Sequence, residues 1–323
     1  MTRFFLLAAA LALVAGRAPA ADEAPLKLVQ TIALKGVDGK LDHLCVDPEG
    51  ERLFVANKPN NTLDVVDLKT GKLVQQIKDQ GKISGVAYSH DLDTVFLGNG
   101  AGTCNAFTCS DYKSAFSTKA PNADNVHFSG ESNRVYVGCG ETMMVLDAKS
   151  GEVKTSIKLP GSVHGFKIDA KAGKIFTVLT KPSIIGVVDI AKNEVTDKYP
   201  LKLSDAGSPI AYDAKAGLLF VGCPKKPMVV VFDAKTGKEL AGVEIPAGID
   251  DIHFDTKRNR VYASCGDGAL CVIEKKGEKY EVTAKLETPK NSRTCAYAEG
   301  KVYLGVPKQK DAEGPEIRVY EAE

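Results

Sequence analysis

The chain has 323 residues, 44% hydrophobic and 26% charged, with 30 Gly, 15 Pro, 8 Cys and no Trp. These proportions belong to a globular protein and exclude the disordered and fibrous classes. Basic and acidic residues nearly cancel, 42 against 41, so no overall field draws the chain to nucleic acid or to an anionic membrane.

In chain order, a charged start (Met1-Thr2-Arg3) leads into the apolar run 4–14 and then into Ala18-Pro19-Ala20. A positive charge, a short apolar core and an A-x-A site make a secretory signal peptide over residues 1–20. The apolar run falls short of the roughly 20 residues that cross a bilayer as a helix. The expectation is an exported protein, periplasmic or extracellular, without stable membrane insertion. Loss of Arg3 and Arg17 with the leader leaves residues 21–323 one unit acidic.

The remainder is one unit repeated. The phrase Arg134-Val135-Tyr136-Val137-Gly138 returns as Leu53-Phe54-Val55-Ala56, Val95-Phe96-Leu97-Gly98, Ile175-Phe176-Thr177, Leu219-Phe220-Val221-Gly222, Val261-Tyr262-Ala263 and Val302-Tyr303-Leu304-Gly305. The aromatic anchors are spaced 42, 40, 40, 44, 42 and 41 residues apart. A period near 40 with short strands and Gly/Asn/Asp turns predicts one four-stranded propeller blade per repeat. Each repeat starts with an inner strand, such as 43–46 or 251–254, and turns into the aromatic-bearing second strand. A third strand follows, as at 63–67, 145–147 and 229–233. The turn Asp-x-Lys-Thr/Ser-Gly at 67–71, 147–151 and 233–237 then opens an outer strand of alternating polarity, as at 72–78. No stretch after residue 20 has helical periodicity.

The seventh unit stops at its third strand, 316–320, while residues 26–34 read like an outer strand placed before the first repeat. The N-terminal segment therefore completes the last blade and removes the exposed sheet edges. The predicted fold is all-β: one seven-bladed propeller of four-stranded antiparallel blades, a single domain over 21–323, closed by its N-terminal strand.

Repeats of the form Arg134-Val135-Tyr136-Val137-Gly138-Cys139 followed by Val145-Leu146-Asp147-Ala148-Lys149-Ser150-Gly151 resemble the YVTN-repeat, YncE-like exported propellers. The resemblance spans nearly all of 21–323, although the family tetrapeptide is only approximated, as in Phe54-Val55-Ala56-Asn57. It implies an exported seven-bladed propeller without an assigned activity. Wider relatives that the repeats resemble include lactonases, a streptogramin-cleaving lyase and haem-d1 domains, and fold does not choose among them.

Aligned on their inner strands, the repeats place Asp42, Ser84, Asp124, His164, Ser208, Asp250 and Arg293 in one column and His43, Gly85, Asn125, Gly165, Pro209, Asp251 and Thr294 in the next. Neither column holds a large apolar residue. Polar groups from separate blades thus converge on the ring axis, which suits ligand binding on a rigid frame. The candidate binding set is Asp42, His43, Asp124, Asn125, His164, Asp250, Asp251 and Arg293. Asp42, Asp124 and Asp250 suit a hard divalent cation such as Ca²⁺. His43 and His164 suit acid–base work, and Arg293 suits a ligand carboxylate. Lysines of the loops between second and third strands, Lys58, Lys181, Lys225, Lys226, Lys308 and Lys310, would form a basic rim. His127 and His253, one residue before the inner-strand aromatic, read as packing positions between sheets.

Cys139, Cys223 and Cys265 share one repeat position and read as small buried packing residues. Blades 1 and 7 are neighbours, which makes Cys45 and Cys295 the first pair to test for a disulfide. No C-x-x-C-H, H-E-x-x-H or P-loop occurs, and Gly161-Ser162-Val163-His164-Gly165 only superficially matches a nucleophile elbow, because it begins a strand. The expected function is that of a monomeric exported propeller binding a small molecule or a protein or peptide partner at its top face. The alternative is a divalent-cation-dependent lactonase or lyase using the axial Asp/Asn/His cluster.

Overall fold

The computed structural model describes residues 24–35 and 39–323, so the segment 1–20, expected to be a signal peptide, lies outside the described residues. Seven four-stranded antiparallel sheets follow one another along the chain, at 44–77, 83–119, 123–158, 162–200, 210–244, 249–287 and 295–322. Among the described residues the sole helical piece is one 3₁₀ turn, Lys58–Asn60, and no helix is long and apolar enough to cross a membrane.

The last blade is built from both ends of the chain. Strand Leu26–Ala33 pairs antiparallel with Glu316–Ala322, matching Leu26 to Ala322 and Ile32 to Ile317. The closing strand anticipated at 26–34 is therefore in place, with Leu26, Ile32 and Leu34 all 3% exposed or less.

Each repeated turn is held by its first residue. Asp67 accepts hydrogen bonds from the Thr70 N–H and hydroxyl at 2.7 and 2.9 Å, and Asp233 does the same for Thr236 at 2.7 and 2.8 Å. Gly71 and Gly237 follow at φ of 65° and 69°, the left-handed region that a side chain strains.

Seven apolar clusters hold the ring, and each spans two adjacent blades rather than lying inside one. The anchors Phe54, Phe96, Tyr136, Phe176, Phe220, Tyr262 and Tyr303 are all buried. Phe54 packs on Tyr88, Phe96 on Phe128, Phe176 on Tyr212, Phe220 on Phe254 and Tyr262 on Tyr297, with centroids 5.2–5.7 Å apart. The second strand of one blade thus stacks on the inner strand of the next.

All eight cysteines are free thiols. Cys45 and Cys295, the pair that adjacent blades put first for testing, are not bonded to each other. The two sit one step out of phase on their inner strands, so Cys45 packs into the blade 1–2 cluster and Cys295 into the blade 6–7 cluster. Cys139, Cys223 and Cys265 end their second strands and are buried, as the repeat position implied.

Burying Leu26, Ile32 and Leu34 contributes about 2 kcal/mol each, a large share of the roughly 5–15 kcal/mol that holds a domain folded. Deleting residues 22–34 is expected to leave a chain that melts far below the full-length protein or does not fold at all. A deletion variant with an unchanged thermal melt would show that the ring closes without this strand.

Candidate functional site

The inner strands surround an axial cavity of about 440 Å³ that opens at the end of the ring where those strands begin. All eight residues singled out from the repeat columns line it: Asp42, His43, Asp124, Asn125, His164, Asp250, Asp251 and Arg293. They come from blades 1, 3, 4, 6 and 7, up to 251 positions apart in the chain.

Local backbone irregularity explains why consecutive residues share one cavity. A regular strand would send Asp124 and Asn125, or Asp250 and Asp251, to opposite faces. Pairing with the second strand shifts register between Ala123 and Val126, between Val163 and Phe166, between Ile249 and Asp251, and between Ile83 and Gly85. A bulge bends the strand and re-aims its side chains, here at the mouth of the cavity in several blades. Gly85 belongs to the same device. A Cβ there would lie 2.1 Å from the Asp124 carbonyl oxygen, so this close approach of blade 3 needs a glycine.

Most charges at the mouth are paired. Lys58, carried on the 3₁₀ turn, donates to Asp42 at 2.6 Å. Ser84 donates to Asp124 at 2.5 Å. Asp250 lies 2.9 Å from Arg293 Nε and 3.8 Å from Lys40. Asn125 donates to the His164 carbonyl, joining blades 3 and 4. Asp251 accepts the Cys295 N–H at 3.0 Å and faces His43 Nδ1 at 3.1 Å.

That last contact sets the charge of His43. Burial alone would lower its pKa, but the charge and hydrogen bond of Asp251, backed by Asp42 and Asp124, outweigh burial and raise it to about 10. Burial pushes the Asp250 carboxyl up, partly offset by Arg293, His43 and Lys40, whereas the cations around Asp42 hold that carboxyl down against burial.

Deeper in the cavity the structure departs from the sequence expectation. His127 and His253 line the cavity as well as packing within it. The His127 ring stands edge-on to Phe166 with centroids 4.5 Å apart. His253 Nε2 sits 2.9 Å from the Cys295 carbonyl, so this nitrogen carries the proton. The seven blades diverge from the axis like wedges, which opens the inner edge of that strand face to the channel.

The same level holds Lys167, which no sequence argument singled out. It is three residues along the blade 4 inner strand from His164, beyond the bulge that shifts register between Val163 and Phe166. Burial lowers its pKa, with Asp251 and Cys45 opposing only in part, and burial beside Lys167, His43 and His253 keeps the His127 imidazole neutral. A signal for this level does exist in the repeats. Cys45, Ala87, His127, Lys167, Ala211, His253 and Ala296 form a column with no large apolar side chain.

The basic rim is largely absent from the cavity. Of its six lysines only Lys58 is a lining residue, joined by Lys40 from the connection before blade 1. Lys226 instead donates to the Leu203 carbonyl at 3.0 Å, and Lys181, Lys225 and Lys310 are exposed. Among the described residues no group of three or more His, Cys, Asp or Glu side chains is arranged to hold a metal ion.

Fold and site together define a seven-bladed β-propeller with a polar axial cavity. The fold is similar to that of a chain of Kuenenia stuttgartiensis hydrazine synthase, with a TM-score of 0.73 and 14% identity over 86% of this chain and 96% of that one. At that identity the likeness shows the fold alone. No family model matches the chain, and no curated protein does.

Two outcomes follow from this geometry. Gly85→Ala is expected to cost about 1–3 kcal/mol in chemical denaturation by forcing blades 2 and 3 apart; an unchanged midpoint would mean the backbone yields freely. His43 has a folded pKa above its unfolded value near 6.5, so its charged form stabilises the fold below that pH, and the gain is lost as pH rises through about 10. The melting-temperature difference between the native protein and His43→Gln should therefore be largest near neutral pH and below, and shrink between these values. A difference independent of pH would show that His43 is not held charged.

Proposed function

We propose that this propeller is a binding protein whose axial cavity receives a small molecule bearing a carboxylate, with Arg293 as the group that meets its charge. One observation carries the reading: the Arg293 guanidinium faces the axial cavity with unused donors while the carboxylates and cations beside it are satisfied by one another. The Arg293 guanidinium is paired with Asp250 through Nε alone, and that contact lacks the alignment of a hydrogen bond. Its terminal N–H groups make no hydrogen bond to a described residue, which leaves the planar fork that matches a carboxylate. Lys167 likewise has no hydrogen-bond or ion-pair partner among the described residues.

The volume supports a small ligand over a folded partner, since about 440 Å³ lies at the lower end of the roughly 300–1,000 Å³ typical of small-molecule sites. A divalent cation at Asp42, Asp124 and Asp250 would have to displace Lys58, Ser84 and Arg293 from those carboxylates. The resemblance of the repeats to YVTN-type exported propellers and the leader-like residues 1–20 favour an exported setting.

Titration with small mono- and dicarboxylates and their matched amides, followed by calorimetry, tests the reading. Carboxylates should bind and amides should not. Arg293→Gln should weaken binding about tenfold or more, since a charge-assisted hydrogen bond contributes roughly 1.5–3 kcal/mol. Equal response to acids and amides would remove the basis for the proposal. A Ca²⁺-dependent signal abolished by Asp42→Asn and Asp124→Asn would favour the cation-dependent enzyme instead.

A further inference from the structure

Lys167 has surroundings that an ordinary ion-pairing lysine lacks. It lies on the inner strand of blade 4, inside the axial cavity, with no acceptor among the described residues. The imidazoles of His127 and His253 project into the same cavity from blades 3 and 6, and Asp251 lies near enough for its charge to act on the amine. A second cation, Arg293, opens onto the cavity from blade 7. The arrangement joins a half-buried amine, two imidazoles and a guanidinium fork along one small cavity.

We infer that Lys167 is a carbonyl-capturing amine, and that the cavity takes small aldehydes or oxo acids, with Arg293 at the mouth drawing in the carboxylate and Lys167 Nζ meeting the carbonyl carbon. This rests on the carboxylate-binding reading and narrows its ligand class. The Nζ lone pair attacks the carbonyl carbon, forming a C–N bond while the C=O π pair moves to oxygen. One proton passes from nitrogen to that oxygen, giving a carbinolamine. A second proton transfer expels the oxygen as water and leaves a C=N bond to Lys167, so the net change is amine plus carbonyl to imine plus water, with no oxidant or reductant. Neutral imidazoles at His127 and His253 suit both transfers, because each accepts and returns a proton. Desolvation favours the uncharged, nucleophilic form of a lysine, which is how such amines are activated.

Reductive trapping tests this directly. The full chain is incubated at neutral pH with glyoxylate and sodium cyanoborohydride, and labelled lysines are located by peptide mass spectrometry. Lys167 is expected to carry the adduct at a rate about tenfold or more above any surface lysine, because an ordinary lysine near pKa 10.4 is protonated at that pH. Lys167→Met should lose this fast label while the surface background stays. Binding of glycolate, which has the carboxylate but no carbonyl, is measured in parallel. Glycolate binding with no preferential label at Lys167 would overturn the amine's role and leave the carboxylate site standing. Failure of both glycolate binding and labelling would overturn both.

Discussion

The structure depends on stacking between blades. A four-stranded sheet of this size has too little apolar surface to stand alone, and each blade instead presents its second-strand aromatic to the inner strand of the next. Phe54 on Tyr88 and Phe220 on Phe254 are instances of one contact repeated around the axis. Where the inner strand offers an aliphatic residue instead, as at Ile168, Tyr136 packs into the same kind of interface. Because every apolar cluster joins two blades, opening the ring anywhere would expose one of them, which is why the final blade borrows its outer strand from the N-terminal segment.

The stacking also fixes what lies on the axis. Adjacent blades meet mainly through their inner and second strands, and the space left between the seven inner strands at the axis is the cavity. Its mouth is shaped by backbone as much as by side chains. Register shifts near the starts of four inner strands turn neighbouring polar residues inward, and Gly85 allows blade 3 to lie against blade 2.

Charge is sorted by depth within this space. At the mouth, carboxylates and cations neutralise one another across blade boundaries, and His43 is held charged between Asp251 and Asp42. Further in, burial outweighs the charge of Asp251, leaving His253 and His127 neutral and lowering Lys167. Two kinds of basic group therefore share one cavity, and their protonation is set by partners rather than by residue type. The mouth carries paired charges, and the interior holds half-buried imidazoles and an amine whose charged forms burial disfavours.

By itself the sequence determined the repeat number, the strand order, the turn chemistry and the closure of the last blade, because each is a periodic or local property of the chain. It also located the residues at the cavity mouth, since a column without large apolar side chains is visible once the repeats are aligned. Tertiary structure decided which of those residues pair. His43 and Asp251 are 208 residues apart, and their contact follows from curvature around the ring, which no repeat period records. It likewise decided that His127 and His253 face the channel, that Cys45 and Cys295 point into different interfaces, and that Lys167 stands unpaired among groups from other blades. Periodicity along a strand fixes which residues are equivalent. Only the closing of seven wedges about an axis fixes which of them meet.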